Sequence, residues 1–451
     1  MQFLNTIIKK AVFALGFLPL MLFAQPKDNS PYSRFGFGDI ADNNFVASQT
    51  MGGLGATFHS GYDINVVNPA SLAYLRATSF DIGIQARNSS FTERNGNQAE
   101  IWTGNISYIS FAFPLQNVVN DILDRKKRDY SFGMGFTLKP FTRVGYDVSS
   151  TILLDDIGAV ERNFQGSGGL FDFTWSTGFR YKQFSAGVNL GYLFGQNLTQ
   201  NIIRLADINS ETALLEERFG YRGFLWRAGA LYTLNLGSGV KDKDSLVKKD
   251  RRITFGIHGN SQSGLSTDLT TFEGTAAFFQ GNAVNRDTLS SSTQTDIRSN
   301  LPSELGVGAT FYSGEKLSLG VNYTMTNWSQ ANYSLVNGNL KDTYKLSFGG
   351  YIRPNYKSVG NYFSRVYYRF GGFFHKLPTE IPANNGVDLE DMGLTFGLGL
   401  PFFYQRKISH ANLGLTLGLK GRNTVIEERY VRLTFSFTFN DDEWFIKRKY
   451  N

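Results

Sequence analysis

No cysteine occurs among the 451 residues, which excludes disulfide scaffolds, thiolate metal sites, cysteine nucleophiles and a lipidated amino terminus. Charge is scarce too: 18% of residues are Asp, Glu, Lys or Arg, where a soluble domain carries about a quarter, and this argues against a large soluble enzyme. Proline is rare (11) beside glycine (48), phenylalanine (40) and tyrosine (22), a mixture suited to strands and tight bends rather than long helices. Long apolar runs are missing after the first two dozen residues, so no membrane helix is expected.

Those first residues place Lys9 and Lys10 ahead of an apolar run from Ala11 to Phe23. With Ala24 as a small residue before Gln25, residues 1–24 read as a secretory signal peptide cut after Ala24. The chain is expected to be exported.

From Thr78 onward the dominant period is two. Leu413, Leu415, Leu417 and Leu419 alternate with Asn412, Gly414, Thr416 and Gly418, and Val431, Leu433, Phe435, Phe437 and Phe439 alternate with Arg432, Thr434, Ser436 and Thr438. Such strands, about ten residues long, fit a tilted crossing of an outer membrane better than the five or six residues common in soluble sandwiches. About fourteen segments qualify, the eighth read as Asp296 to Phe311 and the eleventh as Ser364 to His375. The fold class is therefore an all-β transmembrane antiparallel barrel. Residues 78–440 are expected to form the barrel and 441–451 a periplasmic tail, with 25–77 an irregular segment ahead of the strands. An even count puts both termini in the periplasm and makes the polar stretches Leu198 to Gly220 and Ser261 to Thr295 external loops. Val118, Val119, Ile122 and Leu123 suggest a short amphipathic helix on the periplasmic side.

The chemistry sought in the motifs is absent. No phosphate-cradling glycine loop, zinc-protease motif or nucleophile elbow occurs, and His59, His258, His375 and His410 are scattered without metal-ligand spacing. Neither an enzyme activity nor a cofactor is expected. The net charge of +7 is spread over turns and loops, consistent with anionic lipid headgroups rather than nucleic acid.

Three groups of residues stand out. Asn65 and Asn68 can bond their own backbone and Pro69, followed by Ala70, fixes a bend, so this stretch can stay compact without joining a sheet. Pro140, between Lys139 and Phe141, interrupts the third strand, where a residue without an N–H marks a bulge or a gap. Lys345, Arg365 and Arg369 take lumen-facing parity on two adjacent strands, positioned either to receive an anionic ligand group or to pair with carboxylates such as Asp172, Glu304 or Asp391.

Spaced motifs add a resemblance. "MGGLGATFHSGYDINVVNPASLAYLRATSFDIG" (Met51 to Gly83), with its Asn-Pro-Ala step at Asn68, Pro69 and Ala70, resembles the amino-terminal plug of the FadL/TodX family. "LPSELGVGATF", "YTMTNWSQ", "KDTYKLSFGGY" and "RFGGFFHKLPTEIP" are similar to later strands of that family, and "SPYSRFGFGD" and "WFIKRKYN" look like Bacteroidota versions. The resemblance implies that residues 25–77 are an N-terminal hatch blocking a barrel in the outer membrane of a Gram-negative bacterium. It further implies uptake of long-chain fatty acids or other hydrophobic small molecules, with sideways release through the wall next to outer-membrane lipid. A rival reading gives the same barrel a non-transport role in an envelope protein complex, as a type IX secretion shuttle or an assembly accessory. A third, an outer-membrane hydrolase, needs a serine and a histidine brought together by the fold.

Overall fold

The computed structural model describes residues 30–442, apart from 95, 117–120, 122–124, 126–127, 156–157, 206–210, 240–248, 280–281, 332–339, 381–387, 405–406 and 423. The signal segment, the tail beyond Asp442 and the amphipathic stretch around Val118 to Leu123 lie outside the described residues.

Among the described residues, sixteen strands follow the N-terminal segment: β1 (Thr78–Glu93), β2 (Gln98–Pro114), β3 (Tyr130–Leu154), β4 (Gly158–Tyr181), β5 (Phe184–Leu205), β6 (Ala213–Gly239), β7 (Lys249–Asn260), β8 (Ser263–Phe279), β9 (Asn282–Leu301), β10 (Glu304–Ser313), β11 (Leu317–Thr326), β12 (Thr343–Ile352), β13 (Tyr367–Glu380), β14 (Asp388–Tyr404), β15 (Lys407–Lys420) and β16 (Ile426–Asp441). Each is antiparallel to its neighbours, and β16 closes on β1. β7 pairs with both β6 and β10, so the ring passes over β8 and β9, leaving a closed barrel of fourteen strands.

β8 and β9 form a hairpin that adds instead to the upper half of β6, from Ala213–Thr275 to Gly223–Leu265. This corrects two expectations. The stretch 296–311 is not one strand: β9 ends at Leu301, Pro302 breaks the chain, and the barrel strand begins at Glu304. Nor are 198–220 and 261–295 mainly loops, because β5 runs to Leu205, β6 starts at Ala213, and β8 and β9 fill most of the second stretch. Serine- and threonine-rich strands above a membrane have no lipid-facing side, so they lack the apolar alternation that betrays the barrel strands.

Strand length is lopsided. β10, β11 and β12 have 10 residues each, enough to cross hydrocarbon at the usual tilt. β3 to β6 have 25, 24, 22 and 27 residues. The tight turn Lys182–Gln183 between β4 and β5 marks the end that carries the termini, so the excess rises at the opposite, far end. Phe132, Phe136, Phe173, Tyr192, Val321, Phe348, Leu394 and Leu433 all face outward and are exposed, a belt of apolar side chains around the ring. No described helix is long and apolar enough to cross a membrane; the crossing is made by strands.

Candidate functional site: the lumen and its N-terminal segment

Residues 30–77 lie within the ring and are largely buried, including Val46, Met51, Leu54, Ile64, Val66 and Leu72. Asn68 is fully buried. Its side-chain oxygen accepts from the N–H of Ala70 at 3.2 Å and caps the 3-10 helix Pro69–Tyr74. Its amide nitrogen donates to the carbonyl of Ala56 at 2.7 Å and to the wall carbonyls of Ala230 (3.2 Å) and Ile257 (3.3 Å). Asn65 donates to Gly55 and Phe58 carbonyls, both at 2.8 Å, and accepts from the N–H of Val67 at 3.0 Å. Wall side chains complete the accounting: Asn189 donates to the Val66 carbonyl at 2.7 Å, Ser131 to that of Ala73 at 2.7 Å, and Thr395 to that of Thr50 at 3.1 Å. An irregular backbone persists here because its polar groups are met locally or by the wall.

Shape complementarity comes from glycines on the inward face. Gly133, Gly178, Gly187 and Gly229 are paired in one row across β3, β4, β5 and β6. A Cβ on Gly178 would stand 2.6 Å from the Pro69 carbonyl oxygen, and one on Gly187 would stand 2.5 Å from the Pro69 carbonyl carbon. Gly133 and Gly229 have no more room, being blocked by Leu72 and Asn68. On the other side Gly349 and Gly371, paired across β12 and β13, meet Met51 and Gly52 in the same way. Gly52 itself takes φ +75° to fit between the carbonyls of Phe348 and Gly372. Strand glycines of this kind mark where another backbone approaches closely. The sequence showed them only as small residues between larger ones; their inward parity was the available signal.

Above this contact the lumen is charged. Lys420 bonds Asp39 at 2.6 Å, Lys345 pairs with Asp42 at 3.4 Å, Arg227 with Glu304 at 3.3 Å and Arg87 with Glu428 at 2.5 Å. Burial would raise the Asp42 carboxyl, but the Lys345 charge and hydrogen bonds from Asn44 outweigh it and hold the group near 2. Asp39 is likewise depressed, with Lys420 overriding the effect of burial. His59, hemmed in by Tyr74 and Tyr312, is pushed down to about 4 by desolvation. A cavity here of about 220 Å³ is lined by charged side chains such as Asp39, Arg87, Arg227 and Lys345 and by apolar ones such as Leu225 and Phe373. Among the described residues no group of His, Asp and Glu side chains converges as a metal site.

Of the three basic residues singled out above, Lys345 and Arg369 face inward but stand far apart on the ladder, Lys345 opposite His375 and Arg369 opposite Tyr351. Arg369 is buried and donates to Asn412 at 2.6 Å. Arg365 corrects the expectation: it belongs to the 3-10 helix Phe363–Arg365 at the terminal end, because β13 begins only at Tyr367. No single anion site gathers the three.

Pro140 sits at a bulge. The β3–β4 register shifts between Pro140 and Thr142, with Phe141 the extra residue, which packs among Phe37, Leu170 and Leu193. Lys139 points inward to Asn43 and to Asp172, 3.9 Å away. Below this point β2 and β3 pair from Pro114–Gly133 to Ile109–Leu138; above it they separate. The freed edge of β3 is taken by the N-terminal segment: Asp39 and Ile40 pair with Arg143 and Thr142, Ala41 donates to the Phe141 carbonyl at 3.0 Å, and Ser30 to that of Gly145 at 2.7 Å.

The architecture is similar to that of solved transporter structures. The Pseudomonas putida toluene transporter TodX aligns over 88% of this chain and 99% of its own at 14% identity, with a TM-score of 0.54. The Ralstonia pickettii toluene transporter TbuX aligns over 89% and 99% at 15% identity (TM-score 0.53), and a Pseudomonas aeruginosa FadL homologue over 90% and 99% at 13% identity (TM-score 0.53). At such identities the likeness speaks for the fold alone, a FadL-like barrel. No curated protein matches the sequence. The BamG family profile matches residues 7–451, so this chain, with its FadL-like barrel, belongs to the BamG family.

Proposed function

We propose that this protein is a plugged barrel serving as an accessory subunit of an envelope-assembly machine in the outer membrane. One observation carries the reading: the N-terminal segment is seated backbone to backbone on wall glycines, beneath a cavity of about 220 Å³ lined with ion pairs. A charged remnant of that size is a poor path for an apolar molecule, since displacing paired charges into contact with hydrocarbon is costly. Membership of the BamG family supports a role apart from that of the channels whose fold it shares. The test is purification in mild detergent from cells, combined with depletion of the protein. Stoichiometric protein partners, and a fall in other outer-membrane proteins on depletion, are expected. Recovery of the barrel alone, with no change in the outer-membrane proteome, would overturn the reading.

A second reading is uptake of long-chain fatty acids or similar hydrophobic compounds with gated lateral release. The observation in its favour is the separation of β2 and β3 beside Pro140, in a fold shared with toluene transporters. Here residues 39–41 occupy the edge of β3, so release requires that strand to leave. Passage of labelled palmitate into liposomes carrying the purified protein is its measurement; passage equal to empty liposomes rules it out.

A further inference from the structure

β2 keeps β1 as its neighbour along its whole upper half, from Ile84–Ile106 to Thr92–Gln98. Its other edge has lost β3 there. Among the described residues that edge receives one hydrogen bond, from the Arg143 guanidinium to the Ile106 carbonyl at 3.4 Å. Because the Ile106 carbonyl points across the gap, the strand period aims the backbone groups of Gly104 and Trp102 the same way. This stretch lies in the lipid-facing belt, with Ile106 and Trp102 outward at 56% and 54% exposure. Lipid tails neither donate nor accept hydrogen bonds, so an open strand edge is unstable in hydrocarbon and a protein strand satisfies it.

We propose that the β2 edge over 102–106 is a docking site for an extended strand of another outer-membrane barrel protein, added by main-chain pairing. This deepens the assembly reading and rests on it. Strand direction selects the partner. β2 runs from the far end toward the terminal end, so an antiparallel partner runs the other way, as β3 does. A second copy of this chain, turned about an axis normal to the membrane, offers its own β2 running in the same direction and gives only the parallel arrangement. The outward neighbours Ile106 and Trp102 suit a strand with apolar residues on its lipid face.

The alternation of β2 permits a direct test in the full-length protein in its native membrane. A photo-cross-linking amino acid is placed in turn at Trp102, Gly104 and Ile106, and the adducts are sequenced. The expected result is one partner strand whose cross-linked residue number falls by two each time the probe position rises by two. Movement in the same sense, scattered protein adducts or adducts to lipid alone overturn the proposal. Gly104→Pro removes an N–H from the open edge while sparing the β1 ladder. It is expected to cut cross-linking at Trp102 and Ile106 about tenfold with heat-modifiable barrel migration unchanged. An unchanged yield overturns the proposal, and a loss of heat-modifiability hands the decision to the adduct series in the parent protein. If stoichiometric partners co-purify but no strand adduct forms, the docking site is wrong and the assembly reading stands; if no partner co-purifies, that reading falls first.

Discussion

The side-chain oxygen of Asn68 occupies the space where Gly229 would carry a Cβ, while the amide nitrogen of the same residue bonds the carbonyls of Ala230 and Ile257. Asn68 is thus one of the residues at which the N-terminal segment is fitted to the wall. Asn68→Ala leaves two wall carbonyls short of a donor and is expected to cost roughly 1–3 kcal/mol. Gly229→Ala forces the plug away from the wall at the same place. Limited proteolysis checks both: residues 30–77 become cleavable while the barrel stays heat-modifiable.

Asp39 and Arg143 are direct partners across the short strand pair, and the chain has no cysteine to interfere. A disulfide between Asp39→Cys and Arg143→Cys is expected to fasten the N-terminal segment to β3. The assembly reading predicts normal growth and normal outer-membrane composition under oxidising conditions. The uptake reading predicts loss of palmitate passage that a reductant restores.

His59 gives a pH dependence with a definite sign. Its proton affinity is lowered by burial to about 4, against about 6.5 in an unfolded chain. Between those values the unfolded state binds more protons, so the His59 contribution is complete above about pH 6.5 and declines as pH falls toward 4. Denaturant unfolding at several pH values should show this slope in the parent and a shallower one in His59→Gln.

Lys345 faces Asp42 from β12, and the carboxylate is held near 2 by that charge and by Asn44. The pair therefore persists through the whole range above about pH 4, and its contribution goes only as pH falls through about 2. Lys345→Met should destabilise the seating of the N-terminal segment by up to about 1 kcal/mol, the cost of leaving a partly exposed charge without its partner. Lys345→Met with Asp42→Asn should recover most of it, which a double-mutant cycle reads directly.

The hairpin β8–β9 stands outside the ring, since Asn260 of β7 already faces Glu304 of β10. Replacing 262–302 by a short turn is expected to leave a folded, heat-modifiable barrel. Some stability is lost, because Leu265 and Leu301 pack with Phe37 and Trp328.

Much of this was readable before any coordinates. Alternation such as Leu413 to Leu419 marks strands because lipid on one face and a packed polar lumen on the other impose a period of two. The bulge at Pro140 follows from the missing N–H. The glycines Gly133, Gly178, Gly187 and Gly229 were visible one at a time, but their row exists only once strand register is known. The ion pairs of Asp39 and Asp42 join residues about three hundred or more positions apart, beyond what local pattern conveys. Arg365 was misplaced because parity can be counted only inside a strand, and β13 starts two residues later.

The unequal strand lengths give this barrel a front and a back. Seen within the membrane, a neighbour approaching β10 to β12 meets a rim near the headgroups, whereas one approaching β3 to β6 meets a wall that continues into the surrounding medium by ten or more residues per strand. The gap between β2 and β3 opens at one margin of that wall. The barrel is therefore not rotationally uniform about its axis: the side of β10 to β12 is low and open to approach, and the side of β3 to β6 is screened by its own height.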